Sequence, residues 1–287
     1  MPSINQKSYV VAVSGGVDSC VLLHQLATAG RADAVAHADH GMRPDSGDDA
    51  RFVQALAARY GLAYYGTELD LGPRASEAEA RRARYAWLDE VNLARNAGGV
   101  ATAHHLDDAI ETACINILRG TGWRGLASLR STDTRYRPLL AMTKADIIAY
   151  ARTNGLQWRD DPSNQTQYYL RNRVRRILRA KLTDVDRKRL KEVLTAQAQL
   201  RPKIEAETAQ LLQTVQGGLL RRYDLIMMSD NAAVELLGAW VQAPLPRQRL
   251  THLLLFCRTA QPGTRWSLDG RRFVSANQRV VRRGWDC

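Results

Sequence analysis

A hexapeptide that follows a hydrophobic strand limits what this chain can fold into more than any other feature. In the run YVVAVSGGVDS, apolar residues at 9–13 come directly before Gly15 and Gly16, and a leucine-rich amphipathic segment follows, ending at Gly30. This order predicts a buried strand, a tight turn and a helix. The first N–H groups of that helix have no partner within it, so the turn is a ready anion site. Glycine lets a phosphate approach the backbone closely.

The loop at residues 14–19, SGGVDS, differs from both common phosphate-binding loops. It lacks the lysine of G-x-x-x-x-G-K-[ST], and its glycines do not fit G-x-G-x-x-G. Asp18 would repel a phosphate unless a cation lay between them, so the loop predicts a magnesium-bridged pyrophosphate, with hydroxyl donors from Ser14 and Ser19. The alternative is a plain strand-to-helix turn in which Asp18 is an acidic residue of the first helical turn.

Composition narrows the class of protein. The 287 residues suffice for two domains. The formal net charge of +12 is typical of proteins with a phosphate-rich partner, and a generally basic protein is the alternative. The first residues lack a signal-peptide pattern and no apolar run could cross a membrane, so we expect a cytoplasmic protein with no membrane partner. The four cysteines form no CxxC pair, which argues against a zinc site, an iron–sulfur site or a disulfide framework.

Strands and helices alternate along the first half of the chain. Strand-like runs at 33–39, 62–70 and 99–105 are separated by helical patterns. This alternation predicts an α/β fold with a doubly wound parallel sheet, which binds its ligands at the carboxyl ends of the strands. Polar clusters at 14–19, 37–43 and 104–111 fall at those ends. Capping-box patterns predict two of the helix starts, Ser76 with Glu79 and Thr143 with Asp146.

A strongly basic stretch follows this half. Between residues 168 and 191 there are ten basic and two acidic residues, and Arg171, Arg175 and Arg179 fall on one helical face. A solvated helix face is one interpretation, and contact with phosphates is the other.

The sequence pattern predicts a nucleotide-binding domain over 1–185, a helical linker over 186–215 and a small mixed α+β domain over 216–287. In the small domain we expect a strand at Leu219–Met228, two helices and a final strand pair. Arginines lie beside aromatic residues in that pair, which suits RNA binding, although strand packing explains the aromatic residues equally well.

Taken together, these motifs resemble the tRNA(Ile)-lysidine synthetases, a family of PP-loop ATP pyrophosphatases with a Rossmann-like, adenine nucleotide alpha hydrolase-like domain. Ala109 departs from the family pattern, which usually has Gln there. The chain resembles the shorter members, which lack a third, C-terminal domain. The matching stretches are SGGVDS (14–19), HADHGMRPDS (37–46), EAEARRARYAWL (77–88), TAHHLDDAIET (102–112), LRGTGWRGLASL (118–129), RPLLAMTKADI (137–147) and DPSNQTQYYLRNRVR (161–175).

The resemblance implies an ATP-dependent ligase that acts on the isoleucine tRNA with a CAU anticodon. It would adenylate C2 of the wobble cytidine with release of pyrophosphate, and the ε-amine of free L-lysine would then displace AMP to give lysidine. The modified tRNA would read AUA instead of AUG. ATP and Mg²⁺ are the expected cofactors, the second domain would bind tRNA, and a homodimer stays open as the assembly.

The resemblance also implies catalytic, magnesium-binding, ATP-binding and tRNA-binding roles for particular residues. For catalysis we expect Asp18, His104, Asp108 and Arg84, with Arg81 as the alternative to Arg84. Asp18 and Asp108 are also the candidate magnesium ligands, and Asp108 alternatively binds the lysine ammonium. Structural roles are expected for His105 and for Asp107 as a helix N-cap, whereas Glu111 is left open. The expected ATP-binding residues are Val13, Ser14, Gly15, Gly16, Val17, Asp18, Ser19, Asp39 and Met42, and the expected tRNA-binding residues are Arg171, Asn172, Arg175 and Arg179.

Two other functions compete with this one. A tRNA cytidine thiolase of the same superfamily would share the loop and the basic surface, but it would need cysteine pairs. A non-catalytic RNA-binding relative would keep the fold, but the intact Ser14, Asp18 and His104 argue against it.

Overall fold

A computed structural model of the chain describes residues 7–39, 46–69, 76–159, 170–215, 218–243 and 245–285. Its contacts divide the chain into two compact units. The first comprises Met1–Thr112 and Leu129–Lys191, and the second comprises Ala113–Ser128 and Glu192–Cys287. The three functional domains predicted from the sequence stay a prediction, but residues 192–215 and 113–128 pack with the C-terminal residues.

The first unit contains a five-stranded sheet in the order β3-β2-β1-β4-β5, in which every neighbouring pair is parallel. The strand order reverses between β1 and β4, so loops that leave these two strands open a crevice at the carboxyl edge of the sheet. This arrangement confirms the predicted doubly wound α/β fold. The strands are β1 (Tyr9–Ala12), β2 (Ala32–Asp39), β3 (Ala63–Glu68), β4 (Val100–Ala101) and β5 (Arg135–Tyr136).

Helices separate the strands and continue beyond them. A 3₁₀ turn at Pro138–Ala141 precedes α6. In chain order the helices are α1 (Val17–Thr28), α2 (Ser46–Arg59), α3 (Glu77–Arg95), α4 (Leu106–Leu118), α5 (Trp123–Leu126), α6 (Lys144–Thr153), α7 (Leu170–Lys181), α8 (Asp184–Gln213), α9 (Arg222–Met227), α10 (Asp230–Val241) and α11 (Arg247–Thr259).

The core of the first unit holds α1 and α6 in place beside the sheet. Leu22 and Leu23 of α1 and Ile147 of α6 are fully buried in one apolar cluster with β1 and β2. Each such side chain contributes roughly 1.5–3 kcal/mol through burial. The predicted capping boxes are present at the starts of α3 and α6, where Ser76 and Thr143 accept the main-chain N–H of the third helical residue.

The second unit contains an antiparallel sheet in the order β6-β9-β8-β7. Its strands are β6 (Leu219–Arg221), β7 (Arg265–Ser267), β8 (Arg272–Ala276) and β9 (Val280–Trp285). The predicted final strand pair is therefore three strands. Its separate core includes Leu237, Leu253 and Val274, all fully buried.

The predicted strand at Leu219–Met228 is wrong beyond Arg221, because the chain turns into α9 there. Leu225 is fully buried in the core of the second unit. The guanidinium of Arg258 donates to the carbonyl oxygens of Leu225 and Met228, both at 2.8 Å. A cation from α11 thus satisfies carbonyl groups at the end of α9, a partner that local sequence does not reveal.

In the part of the chain that the structure describes, no helix has both the length and the apolar character that crossing a membrane requires.

Candidate active site

The loop after β1 is closed by its own side chains. The Ser19 hydroxyl donates to the Gly16 carbonyl at 2.9 Å and accepts the Ser14 N–H at 3.2 Å. Gly15 adopts a φ of +91°, which L side chains rarely tolerate. Helix α1 begins at Val17 with Gly16 as its N-cap, and no side chain caps it there. The predicted strand, glycine turn and helix are therefore present, with the first N–H groups of α1 directed at the loop.

Asp18 lies in the first turn of α1 and forms an ion pair with a residue far along the chain. The distance from its Oδ1 to Nζ of Lys144 is 2.6 Å. Lys144 is the first residue of α6, and its main-chain N–H donates to Oδ2 of Asp107 at 2.8 Å. One residue therefore connects the loop after β1 with the start of α4. The sequence reasoning missed Lys144, although it lies in a matching stretch, directly after the predicted cap Thr143.

Three of the expected ATP-binding residues, those expected beside the adenine ring, lie in sequence directly after β1, at the end of β2 or beyond it. Val13 is buried, its N–H donates to the Ala36 carbonyl at 2.9 Å, and its own carbonyl accepts Nδ1–H of His37 at 2.8 Å. Asp39 is the last residue of β2, and its carbonyl accepts the Leu69 N–H. Met42 lies outside the described residues. The adenine assignment stays a prediction.

His104 follows β4, the strand that neighbours β1. Its Nδ1 lies 3.0 Å from the Thr102 hydroxyl oxygen. Burial lowers the pKa of His104 to about 3, with further lowering from the guanidinium groups of Arg137, Arg81 and Arg171, while Asp108 opposes the shift. The imidazole is therefore neutral near pH 7, which suits a hydrogen-bonding role better than a cationic one.

Asp108 accepts the main-chain N–H of His105, the residue before α4, at 3.2 Å through Oδ2. Its Oδ1 lies 3.8 Å from Arg171 and 3.6 Å from Arg175. Burial alone would raise the pKa of Asp108, but His105, with its side chain and N–H, and the nearby charges lower it overall. The carboxylate is thus ionised at neutral pH.

Asp107 occupies the second position of α4 rather than the predicted N-cap, because the helix begins at Leu106. Its carboxylate accepts the Lys144 N–H and also lies 3.3 Å from Nε of Arg187. The predicted N-cap role is therefore wrong, and the Asp107 carboxylate links α4 to α6 and α8 instead. His105 is buried, and its Nδ1 has no hydrogen-bond partner in the described part of the chain.

Glu111, which the sequence left open, is a buried carboxylate with two arginine partners. Its side chain is 4% exposed. Arg175 donates to both carboxylate oxygens, at 2.6 and 3.0 Å, and Arg171 donates at 3.3 Å. The hydrogen bond with Glu111 raises the pKa of Arg175. Two of the four expected tRNA-binding residues therefore meet acidic residues of α4. The spacing of Asp108 and Glu111, one helical turn apart, was the available signal.

The remaining expected residues are placed as follows. The guanidinium carbon of Arg84 lies 6.0 Å from the ring centroid of Tyr85, and that of Arg81 lies 4.9 Å from it. Arg179 is exposed and Asn172 is half-buried, both on α7. Arg137, which the sequence reasoning did not single out, influences the pKa of His104 together with Arg81. The expected catalytic role of Arg84, with Arg81 beside it on α3, stays a prediction.

The oxygen donors of this edge suit Mg²⁺. Among the described residues, no three His, Cys, Asp or Glu side chains come together as a metal cage. Magnesium usually needs only one or two carboxylates together with substrate phosphates and water. The Asp18 carboxylate, 30% exposed at the loop, fits that requirement. Asp108 is the less favourable ligand, because two guanidinium groups already surround it.

The geometry of a glycine loop, an acidic helix start and a switch point defines a class of nucleotide-binding domain. The family model described as the PP-loop domain matches residues 2–182. The chain belongs to this PP-loop family, as the sequence analysis predicted.

Curated relatives narrow the comparison. A protein of Solibacter usitatus named tRNA(Ile)-lysidine synthase is 42% identical over 169 residues, which is 58% of this chain and 38% of that protein. A Bacillus subtilis protein of the same name is 34% identical over 262 residues, which is 84% of this chain and 53% of that protein. The chain thus spans about half or less of the length of these two relatives.

A solved structure described as the U34-tRNA thiolase NcsA from Methanococcus maripaludis shares the fold. It has a TM-score of 0.56 and 18% sequence identity, and the match covers 68% of this chain and 73% of that chain.

Proposed function

We propose that this protein is a tRNA(Ile)-lysidine synthetase, which uses ATP to join lysine to C2 of the wobble cytidine in the CAU anticodon. The observation that carries the proposal is the similarity to the Bacillus subtilis relative, which covers 84% of the chain. This extent exceeds the PP-loop domain and includes much of the second unit. The crevice between β1 and β4 supplies the groups that the reaction requires.

In the first step, the C2 oxygen of the cytidine attacks the α-phosphate of ATP, and pyrophosphate leaves. Catalysis of this step depends on donors that stabilise the leaving group. The main-chain N–H groups from Gly15 to Ser19 and the hydroxyl groups of Ser14 and Ser19 would bind the β- and γ-phosphates. Mg²⁺ would neutralise charge on those phosphates, and Asp18 is the residue proposed to hold it.

His104 would bind the α-phosphate or the adenylate as a neutral hydrogen-bond donor. If Thr102 donates its hydroxyl proton to Nδ1, the Nε2–H of His104 is free to donate. A pKa of about 3 makes His104 a poor base near neutral pH. We therefore do not assign it the deprotonation of lysine, and Arg84 or Arg81 would stabilise charge on the phosphates or adenylate.

In the second step, the neutral ε-amine of lysine attacks C2, and AMP leaves. The incoming amine arrives as an ammonium ion, so it needs an acidic partner before it loses a proton. Asp108 is our candidate for that contact, because it is ionised and lies one turn from Glu111 on α4.

For the RNA, we propose Arg171, Asn172, Arg175 and Arg179 of α7 together with the second unit. Arg171 and Arg175 face Asp108 and Glu111, so they would act near the reacting base. Arg179 is exposed and would meet backbone phosphates. A cytoplasmic location and a homodimer remain parts of the hypothesis.

The test is release of pyrophosphate in the presence of ATP, Mg²⁺, L-lysine and isoleucine tRNA with a CAU anticodon. We expect multiple-turnover release only when both lysine and this tRNA are present, because adenylation without lysine releases at most one pyrophosphate per tRNA. A lysine-sized mass increase on the cytidine should accompany it. The methionine tRNA, which has the same anticodon letters, is the matched control. ATP that is left intact under these conditions would contradict the proposal.

The thiolase alternative predicts sulfur in the tRNA and no lysine adduct, which mass spectrometry of digested tRNA distinguishes. The cysteines weigh against it. Burial raises the pKa of Cys20 and of Cys257 to about 12, so neither forms a thiolate readily.

A further inference from the structure

The SGGVDS loop contains no cation of its own, yet the structure supplies one from α6. Nζ of Lys144 lies 2.6 Å from Oδ1 of Asp18, and the two side chains are 35% and 30% exposed. Both groups are therefore partly accessible, and Asp18 lies in the first turn of α1, whose first N–H groups have no partner within the helix. A cation in this place can reach an anion bound to those N–H groups.

The backbone beneath Lys144 is held firmly while its side chain is long and rotatable. Lys144 follows the N-cap Thr143, whose hydroxyl accepts the Asp146 N–H and whose own N–H donates to Asp146. Its own N–H is bound by Asp107 at 2.8 Å. An ammonium group carries three donors on a flexible stem, so it can exchange partners without moving α6.

The charges nearby differ in how easily they can be redirected. Arg171 and Arg175 hold the buried carboxylate of Glu111, and breaking a buried ion pair is strongly unfavourable because it leaves an uncompensated charge. The pair between Lys144 and Asp18 is about one-third exposed, and exposed pairs contribute little to stability. Bound phosphate can therefore recruit Lys144 at a lower cost than Arg171 or Arg175.

We propose that Lys144 is the phosphate-binding cation of this site. Its ammonium group exchanges Asp18 for oxygens of the β- or γ-phosphate when ATP binds, which leaves the Asp18 carboxylate to Mg²⁺. Lys144 thereby replaces the lysine that other phosphate loops carry within the loop itself. This inference rests on the proposed cleavage of ATP to AMP and pyrophosphate.

The test compares Lys144→Met with Lys191→Met. Lys191 is a matched control because its ammonium donates to the main-chain carbonyl of Ala141, close in sequence to α6. Calorimetry with Mg²⁺ would measure the affinities for inorganic pyrophosphate, for α,β-methylene ATP and for AMP. A charge-assisted hydrogen bond predicts that Lys144→Met weakens the first two by about 10- to 100-fold. The AMP affinity should change by less than about 2-fold, because AMP lacks the phosphates in question.

Two further variants separate phosphate binding from a purely structural ion pair. Lys144→Arg keeps the charge and should retain pyrophosphate affinity within a few-fold. If the ion pair were purely structural, the effect of a substitution on affinity would not depend on which phosphates the ligand carries. In an Asp18→Asn background, Lys144→Met should still weaken pyrophosphate binding. No further effect in that background, or equal losses for AMP and the ATP analogue, would overturn the inference.

Failure of the inference and failure of the proposed function give different results. If the wild type ligates lysine and Lys144→Met has an unchanged KM for ATP, only the role of Lys144 is refuted. Phosphate-dependent binding that requires Lys144, without lysine ligation, would refute the lysidine function and leave the inference standing.

Discussion

Arginines beside the crevice of the first unit pair with acidic residues, whereas arginines on and beside the sheet of the second unit also lie over aromatic rings. In the first unit, Arg171 and Arg175 pair with the buried Glu111, and Arg187 pairs with Asp107. These guanidinium groups neutralise acidic residues near the crevice. Their positive charge is therefore largely balanced within the unit, although the sequence alone shows one of the most basic stretches of the chain.

In the second unit, several arginines lie over aromatic rings. A guanidinium above a ring is attracted to its face. Arg272 also pairs with Asp269, and Arg249 also donates to the Ser267 carbonyl. Trp285 is 71% exposed, whereas Phe273 and Trp240 are buried. The pairs, with guanidinium carbon to ring centroid distances, are Arg249 over Trp266 at 5.0 Å, Arg265 over Phe273 at 4.3 Å, Arg272 over Trp285 at 5.7 Å and Arg283 over Trp240 at 5.3 Å.

Net charge alone therefore does not show where a nucleic-acid surface lies. Some arginines of the second unit are also structural, since Arg222 donates to the carbonyls of Cys257, Arg258 and Asn277. We therefore expect turnover to depend on the acidic and neutral groups of the first unit. We expect RNA affinity to depend on the arginine and aromatic surface of the second.

The largest expected effect is that of Asp18→Ala. Loss of the loop carboxylate removes the proposed magnesium ligand and should lower turnover on the order of 1,000-fold. Affinity for tRNA, measured by filter binding, should stay within about 2-fold, because the proposed RNA contacts lie elsewhere.

Asp89→Ala is the matched control, since Asp89 pairs with Arg135 on the surface of the same unit. Its turnover should equal that of the wild type. Near-normal turnover of Asp18→Ala would refute the assignment of the loop.

The next effect concerns pH and His104. The pKa of His104 in the folded protein, about 3, lies below the ordinary value of 6.5. As the pH falls below 6.5 the unfolded chain binds a proton that the folded chain excludes, so the folded state loses stability down to about pH 3. Relative to His104→Gln, the wild type should lose about 2 kcal/mol of unfolding free energy between pH 7.5 and pH 5.

Hydrogen exchange at the amides of β1 and β4 would measure the pH dependence of the unfolding free energy for the first unit alone. His252→Gln, at an exposed histidine of α11 in the second unit, is the control and should follow the wild type. Identical pH profiles for His104→Gln and the wild type would disprove the buried neutral imidazole.

The smallest of these effects tests whether the second unit binds tRNA. Trp285→Ala should weaken tRNA binding about 10-fold, because stacking of one base on an aromatic side chain contributes about 1–3 kcal/mol. The KM for ATP should not change, and filter binding together with steady-state kinetics would measure both.

Tyr223→Ala removes another exposed aromatic side chain, 67% exposed on α9 of the same unit. It should bind tRNA like the wild type. Equal losses in the two variants would indicate a general effect of exposed aromatic residues and not a specific surface.

Local patterns predicted the parts of the fold that depend on neighbours in sequence. The apolar run before Gly15, the glycine at a positive φ and the capping boxes at Ser76 and Thr143 each rest on contacts within a few residues. Alternation of strands and helices then sufficed to predict the parallel sheet, because connections between parallel strands follow few allowed paths.

Predictions failed where a distant residue decided the local structure. The strand expected through Met228 is instead α9 beyond Arg221, and the carbonyl groups of Leu225 and Met228 accept from Arg258, thirty or more residues later in the chain. Nothing in the sequence near Leu225 records that partner.

Local motifs predicted the kind of site, because SGGVDS after a buried strand is typical of a phosphate-binding loop and TAHHLDDAIET follows the neighbouring strand β4. Which charges meet there depends on the folded arrangement. Lys144 reaches Asp18 across 126 positions of sequence, and Glu111 takes two arginines that the pattern had assigned to RNA. Ion pairs form between side chains that folding brings within a few ångströms, and a linear pattern records the charges but not those distances.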